Sequence, residues 1–279
     1  MPIHDQGYRR YGGTRTPAGQ AWLVIAKAGV RTFLSKKGFL GLLLLSWFPF
    51  FVRAVQLYAA ANLPNAAMLA PDAQTFRQFL DQQGTFVFFI TVYVGAGLIA
   101  NDRRVNALQI YLSKPLTRAE YVLGKLAILM TFLLLVTWVP AILLLVVQVL
   151  FSGNTTFLTK NLFLFPAITL FSFIYVVMVS SAILALSSLS NSSRYVGILY
   201  AALLFFTQAL YGVLRFVTGN TRLSWMSFSF NLEQVGDAIF RLPPRYDTPW
   251  TVSLLMIVLL IVGSGFVLER RVRGVEIVA

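Results

Sequence analysis

The chain has 279 residues, of which 57% are hydrophobic and 12% charged, and its formal net charge is +13. A water-soluble domain carries about 25% charged residues, so neither a soluble globular protein nor a disordered chain fits this composition. Cysteine is absent and His4 is the single histidine, which excludes disulfides, thiolate nucleophiles and Cys-ligated metal centres, and leaves little room for histidine-based catalysis.

Residues 1–19 are polar and hold Arg9, Arg10 and Arg15 beside Gly12 and Gly13. No apolar core precedes a cleavage site, so the stretch reads as a cytosolic leader and not as a signal peptide. Over 20–37, Trp22, Ile25, Ala26, Gly29, Val30 and Phe33 fall on one stripe at helical spacing, with Lys27, Arg31 and Lys36 off it. This pattern predicts a basic amphipathic helix in the cytosolic interface, with Trp22 at headgroup depth. It could serve as a simple anchor or as an elbow that carries force into the first span.

Six charge-poor apolar runs follow, at about 38–58, 85–100, 121–151, 162–189, 195–217 and 248–268. A helix needs about 20 apolar residues to cross a bilayer, and Lys or Arg at its centre costs about 2.5–3.5 kcal/mol. The runs are continuous and Leu-rich, unlike the short alternating strands of a barrel. The predicted fold is therefore an all-α integral membrane protein, with a six-span domain over 38–268 and a cytosolic tail at 269–279. Pro49 and Pro140 are expected to kink their spans. Thr137, Gln148 and Gln208 lie in apolar surroundings, where bonding to a neighbouring helix is favoured over substrate contact. Ser181 with Ala185, and Gly197 with Ala201, form small-residue pairs that permit close helix packing. No run carries a carboxylate near its centre, which argues against proton or sodium coupling. The first outer loop, with Pro64, Pro71 and the stretch 75–80, shows nothing diagnostic.

Charge sets the orientation. With both ends and the even-numbered loops on one side, that side holds sixteen basic residues against seven on the other, while the acidic residues divide evenly. The positive-inside rule then predicts cytosolic termini. The basic residues flank spans and form no separate domain, so nucleic acid is not an expected partner.

The loop between the second and third runs is the most informative segment. Val105, Leu108, Tyr111 and Leu112 recur at helical spacing, Pro115 stops that helix, and Thr117 with Glu120 forms a T-x-x-E capping box before an apolar run. Helix, break and capped span could pass a push into the bilayer, or could be an ordinary surface loop. In the loop between the fifth and sixth runs, Asn231 precedes Leu232, Val235, Ile239 and Phe240 at helical spacing, Gln234 completes a cap-like pair with Asn231, and Pro243 and Pro244 follow.

The stretch IANDRRVNALQIYLSKPLTRAEYVLGK resembles the cytosolic segment of ABC-2-type transporter permeases. The positions that carry the likeness are Asp102, Tyr111, Leu112, Ser113, Lys114, Pro115, Thr117, Arg118, Tyr121, Gly124 and Lys125. The layout of interfacial helix and six spans, and the small-residue turn LALSSLSNSSRYVGI, are similar to that family too. The resemblance implies a permease subunit that does no chemistry itself. Its ATPase-coupling contact would be Asp102, Arg103, Arg104, Leu108, Tyr111, Leu112, Ser113, Lys114, Pro115 and Arg118, set in a cleft of a separate ABC ATPase that binds ATP and magnesium. No G-x-x-x-x-G-K-[ST] loop occurs in this chain, so it is expected to hold no cofactor itself. Two ATPases and a second permease, identical or different, would complete an exporter in the inner (cytoplasmic) membrane. The segment NLEQVGDAIF resembles the short outer helices of these permeases, so Asn231, Leu232, Val235, Ile239 and Phe240 form a possible outer gate, or else an interfacial seal.

Two other classes compete. A membrane-embedded enzyme would need a base near Ser264, or clustered carboxylates, and His4 lies in the leader while the acids are scattered. A permease-fold assembly or scaffold factor would have nearly the same sequence. The cargo is not legible.

Overall fold

The computed structural model describes residues 19–63, 71–107, 116–152, 159 and 161–272. The leader, the stretch holding Leu108, Tyr111, Leu112, Ser113, Lys114 and Pro115, and the tail from residue 273 lie outside the described residues. What is described is helical, with no strand among these residues.

α1 (Ala21–Leu34) precedes a first span that is broken into α2 (Lys37–Leu45) and α3 (Phe48–Asn62). α4 (Ala73–Ile90) continues through a π turn (Thr91–Gly95) into α5 (Gly97–Arg104). α6 (Arg118–Val136) and α7 (Trp138–Ser152) share the third span, followed by α8 (Leu164–Leu189) and α9 (Ser193–Thr218). α10 (Phe228–Ile239) is short, and α11 (Trp250–Arg271) closes the order. Six helical stretches are long and apolar enough to cross a membrane: Lys37–Asn62, Ala73–Arg104, Arg118–Phe151, Leu164–Leu189, Ser193–Thr218 and Trp250–Arg271. The all-α, six-span fold class is thus the one the apolar runs predict.

Both prolines act where expected. Pro49 stands in the first turn of α3, just past the break at Ser46 and Trp47. Proline donates no amide hydrogen, so the ladder is interrupted one turn earlier. Pro140 follows the break at Thr137 in the same way, and the Thr137 hydroxyl turns back to donate to Leu133 O at 2.8 Å. Thr137 therefore bonds within its own helix and not across to a neighbour. Gln208 does reach another element, donating to Ser229 Oγ at 2.8 Å. Gln148 is buried, and its Oε1 has no hydrogen-bond partner among the described residues.

α8 is the spine of the bundle. One face after another of it is covered, from Leu164 through Ser188. Its small residues let α5 come close. Ser187 Oγ accepts from the amides of Ile99 (3.1 Å) and Ala100 (2.9 Å) and donates to Ala96 O at 2.8 Å. Those backbone groups follow the π turn, where the regular i→i−4 pairing is disturbed, and a single buried hydroxyl satisfies all three.

The stripe predicted on residues 20–37 is the half-buried face of α1: Trp22, Ile25, Ala26, Gly29, Val30 and Phe33 are partly covered while Lys27 and Arg31 are exposed. It is covered by α6. The contacts advance together along both helices, with Ala21 bonded to Glu120, Gly124 facing Ile25, Gly29 facing Ile128, and the Phe33 and Phe132 rings 6.1 Å apart. The two helices therefore run side by side in the same direction for about 18 Å, at 1.5 Å per residue. Gly124 makes this possible, since a Cβ there would lie 2.8 Å from Ile25 Cβ and 3.1 Å from Trp22 O. At the end of this stretch Phe33, Phe39 and Phe132 form an edge-on aromatic cluster, where α2 begins.

Candidate functional site

Two polar centres stand out, one at each end of the bundle. The basal centre surrounds the start of α6. The apical one joins α4 to α10 and the loop after it.

At the base, Thr117 and Glu120 form the predicted capping box. Glu120 N donates to Thr117 Oγ1 at 3.2 Å, and Thr117 N donates to Glu120 Oε2 at 2.9 Å. Glu120 Oε1 also accepts from Ala21 N at 3.3 Å. One carboxylate thereby serves the first turns of α6 and α1 together, each of which leaves amide donors free. One turn further, Asp102 Oδ2 accepts from Tyr121 Oη at 2.7 Å and pairs with Lys125 Nζ at 2.7 Å. The Lys125 ammonium lies 5.4 Å from the Tyr121 ring centre. Asp102, Tyr121, Gly124 and Lys125, scattered through the sequence pattern, thus assemble into one clamp that ties the end of α5, the start of α6 and α1.

The other sequence-derived contact residues divide. Arg104 and Arg118 are exposed, and Arg103 is half-buried with its Nη1 covered. α5 ends at Arg104, and two residues on Asn106 takes a left-handed φ of 55°, a conformation asparagine tolerates better than most residues. Leu108, Tyr111, Leu112, Ser113, Lys114 and Pro115 fall outside the described residues.

At the apex, α10 begins at Phe228, three residues before the Asn231 start that the cap-like pair predicts, and Asn231 does not cap it. The Ser224–Met226 turn leads straight into the helix, and Asn231 Nδ2 donates back to Trp225 O at 2.8 Å. Gln234 is likewise used elsewhere: its Nε2 donates to Thr248 O at 2.7 Å and Tyr246 O at 3.1 Å. The helix stops before the prolines. Arg241 takes a left-handed φ of 57°, and Leu242 N donates to Asp237 O at 2.8 Å, closing the end as a Schellman turn. Leu232, Val235 and Phe240 are buried and Ile239 half-buried, with Phe240 edge-on to Phe171 of α8 at 6.1 Å.

Beside this helix lies a charge network that composition and hydropathy do not reveal. α4 starts at Ala73, capped by Asp72 and Thr75, well before the apolar run at 85. Its first turns carry Arg77, which is fully buried, and Asp81. Arg77 donates through Nη1 to Asp81 Oδ1 and lies 3.4 Å through Nε from Asp237 Oδ1. Arg245 closes the circle, with Nη2 at 2.8 Å from Asp81 Oδ2 and Nε at 2.8 Å from Asp237 Oδ2. The result is a ring of four alternating charges drawn from α4, α10 and the following loop. Arg77 Nη2 also donates to Glu233 O at 3.3 Å, and its guanidinium sits 4.5 Å over the Phe171 ring. Gly236 gives the guanidinium its room, since a Cβ there would come within 2.5–2.7 Å of it and displace it from its partners.

Glu233 is a fifth charge. Its Oε2 accepts from Tyr246 Oη at 2.6 Å and lies 3.6 Å from Arg245 Nη1. Burial pushes the Asp237 carboxyl above its usual value, while Arg245 and Arg77 beside it pull it back. The i,i+4 spacing of Arg77 and Asp81 was the one local sign of this network. Its remaining members come from far along the chain. No group of three or more His, Cys, Asp or Glu side chains that could hold a metal ion occurs among the described residues.

Between the ring and the middle of the bundle, α4, α8, α9 and α10 enclose a cleft of about 420 Å³. Its walls are mainly aromatic and aliphatic.

The family model described as ABC-2 family transporter protein matches residues 23–245, well over half of the chain. The chain belongs to the ABC-2 transporter family. No curated protein matches it. The permease resemblance drawn from the basal segment is thereby borne out, and the six apolar helices agree with a membrane-embedded transporter subunit. Membership also implies association with ABC ATPase subunits. In this ABC-2 protein the matched region contains both the Asp102 clamp and the Arg77 ring.

Proposed function

We propose that this chain is the permease of an ATP-driven exporter, with the basal end in the cytosol and the apical end outside. The ATPase grips the segment from Asp102 to Arg118. ATP and magnesium bind in that partner, and two permeases, identical or different, pair around the pathway in the cytoplasmic membrane. The orientation rests on the excess of basic residues toward the base. In this reading α10 covers the outer exit, with Asn231, Leu232, Val235, Ile239 and Phe240 as its inward-facing seal.

The observation that carries the reading is the Asp102–Tyr121–Lys125 clamp. It fastens the two helices that flank residues 108–115 to each other and, through Glu120, to α1. A force applied to the intervening segment would act on a joined base and so reach two spans together. The test has two parts. Purification in mild detergent with mass spectrometry should recover an ATPase of the ABC class. In the reconstituted complex, Tyr111→Ala and Pro115→Ala should leave basal ATP hydrolysis intact and uncouple it from transport. Absence of such an ATPase, or unchanged coupling in both variants, would refute the proposal.

A further inference from the structure

We propose that the apical cleft binds a lipophilic organic cation. The inference gives a substrate class to the transporter reading and rests on that reading for its physiological meaning. The binding itself is a property of this chain alone.

Size comes first. A cleft of about 420 Å³ falls in the range of roughly 300–1,000 Å³ that holds small organic ligands. Its walls come next. The Phe88 ring packs against Phe89 at 5.4 Å, Tyr200 at 6.0 Å and Phe205 at 5.9 Å. All four line the cleft. Aromatic faces carry negative charge density and attract cations, more strongly where water is excluded.

Charge then selects the sign. Two arginines and three carboxylates meet at the apical end, so the ring is neutral and Glu233 is in surplus. Arg77 forms part of the wall, but its side chain has no exposed surface and is already engaged by Asp81, Asp237 and Glu233 O. Arg245 does not line the cleft. Asp81 and Glu233 do line it, with side chains 30% and 27% exposed. Glu233 makes its contacts through Oε2, so Oε1 has no hydrogen-bond partner among the described residues. A cation would gain both the carboxylate and the ring faces. An anion of the same shape would meet repulsion from each.

Access points to the lipophilic body. Phe89 and Phe205 line the cleft and are 52% and 61% exposed, so its mouth lies between α4 and α9 along the apolar side of the bundle. A ligand dissolved in the bilayer could enter there, whereas a strongly hydrated one would first have to shed its water.

The test uses the full chain in zwitterionic phosphatidylcholine nanodiscs, without ATPase or nucleotide, and with empty discs subtracted. Tetraphenylphosphonium and tetraphenylborate, matched in shape and opposite in charge, are titrated separately. The cation should bind saturably at one site per chain and at least about tenfold more tightly than the anion, a difference of about 1.4 kcal/mol. Glu233→Gln should weaken the cation about tenfold, and Phe88→Leu should weaken it further. No saturable cation binding, equal affinities for the two ions, or full affinity in Glu233→Gln would overturn the proposal. The comparison of ions on the unmodified chain stands even if a variant misfolds. Failure here would leave the partnership with an ATPase untouched, and absence of an ATPase would leave the cleft's affinity untouched.

Discussion

Replacing Arg77 by methionine tests how much the apical ring holds. Methionine preserves much of the volume, so the cavity term is small. What is lost is electrostatic. Arg77 touches Asp81, lies 3.4 Å from Asp237, donates to Glu233 O and covers the Phe171 ring. Without it, Arg245 alone faces Asp81, Asp237 and Glu233, and Asp237 is only 1% exposed. Removing one member of a buried pair typically costs about 3–5 kcal/mol, because the partner keeps its desolvation without its counter-charge. A loss near 4 kcal/mol would change the folding equilibrium by about three powers of ten. The assay is SDS titration of the purified chain in mixed micelles, followed by tryptophan emission. Arg77→Met combined with Asp237→Asn should recover about 1–3 kcal/mol through direct coupling. A single-variant loss below about 1 kcal/mol, the range of exposed pairs, or strict additivity in the double variant would refute the ring as a stabilising unit.

Three further outcomes follow from the packing. Gly124→Leu should push α1 off α6, since Ile25 and Trp22 O already stand at contact distance; the overpacking cost is about 1–3 kcal/mol, and limited proteolysis between α1 and α2 should accelerate. Ser187→Ala removes the hydroxyl that bonds two buried amides and a carbonyl, each such bond worth about 0.5–1.5 kcal/mol net; its SDS midpoint should fall, while Ser190→Ala, outside this junction, should leave it in place. Asp237 has a folded value raised by burial, so between the ordinary aspartate value and the raised one the folded chain holds a proton that the unfolded chain has released. Its contribution to stability is therefore complete at low pH and is lost as pH climbs through that window; the slope of SDS midpoint against pH should flatten in Asp237→Asn.

The parts of the fold set by local composition were legible in the sequence. Apolar runs mark spans because lipid leaves no other place for them, the α1 stripe marks a covered face, and Thr117 with Glu120 marks a helix start. The amphipathic pattern does not say what covers α1, and the answer is the stem of α6, admitted by Gly124. The first turns of α4 were missed for a clear reason. Arg77, Asp81 and Gln83 lower the hydropathy of that stretch, although Arg77 and Gln83 are buried by protein and not exposed to lipid. Hydropathy cannot separate the two cases. Asp81 meets Arg245 across 164 residues, and no local pattern encodes that pairing. Asn231 and Gln234 misled because their spacing suits a cap, while their amides close onto Trp225 and the loop at 246–248. For the basal segment, the likeness supplied Asp102, Tyr121 and Lys125 as separate letters, and the structure brings them to one point.

The π turn at Thr91–Gly95 bears on that meeting point. Such a turn absorbs one residue more than an ordinary helical turn. Everything beyond it is therefore set back by about 100° relative to an uninterrupted helix, since 3.6 residues make a full rotation. Asp102 lies beyond it, so the bearing on which this carboxylate faces Tyr121 and Lys125 is chosen about two turns away, inside the bundle. Deleting one residue between Thr91 and Gly95 would remove the surplus residue and its set-back together, and the straightened helix would still aim the aspartate at its partners; the same deletion between Gly97 and Asn101 would swing it by about 100° without altering a single charge.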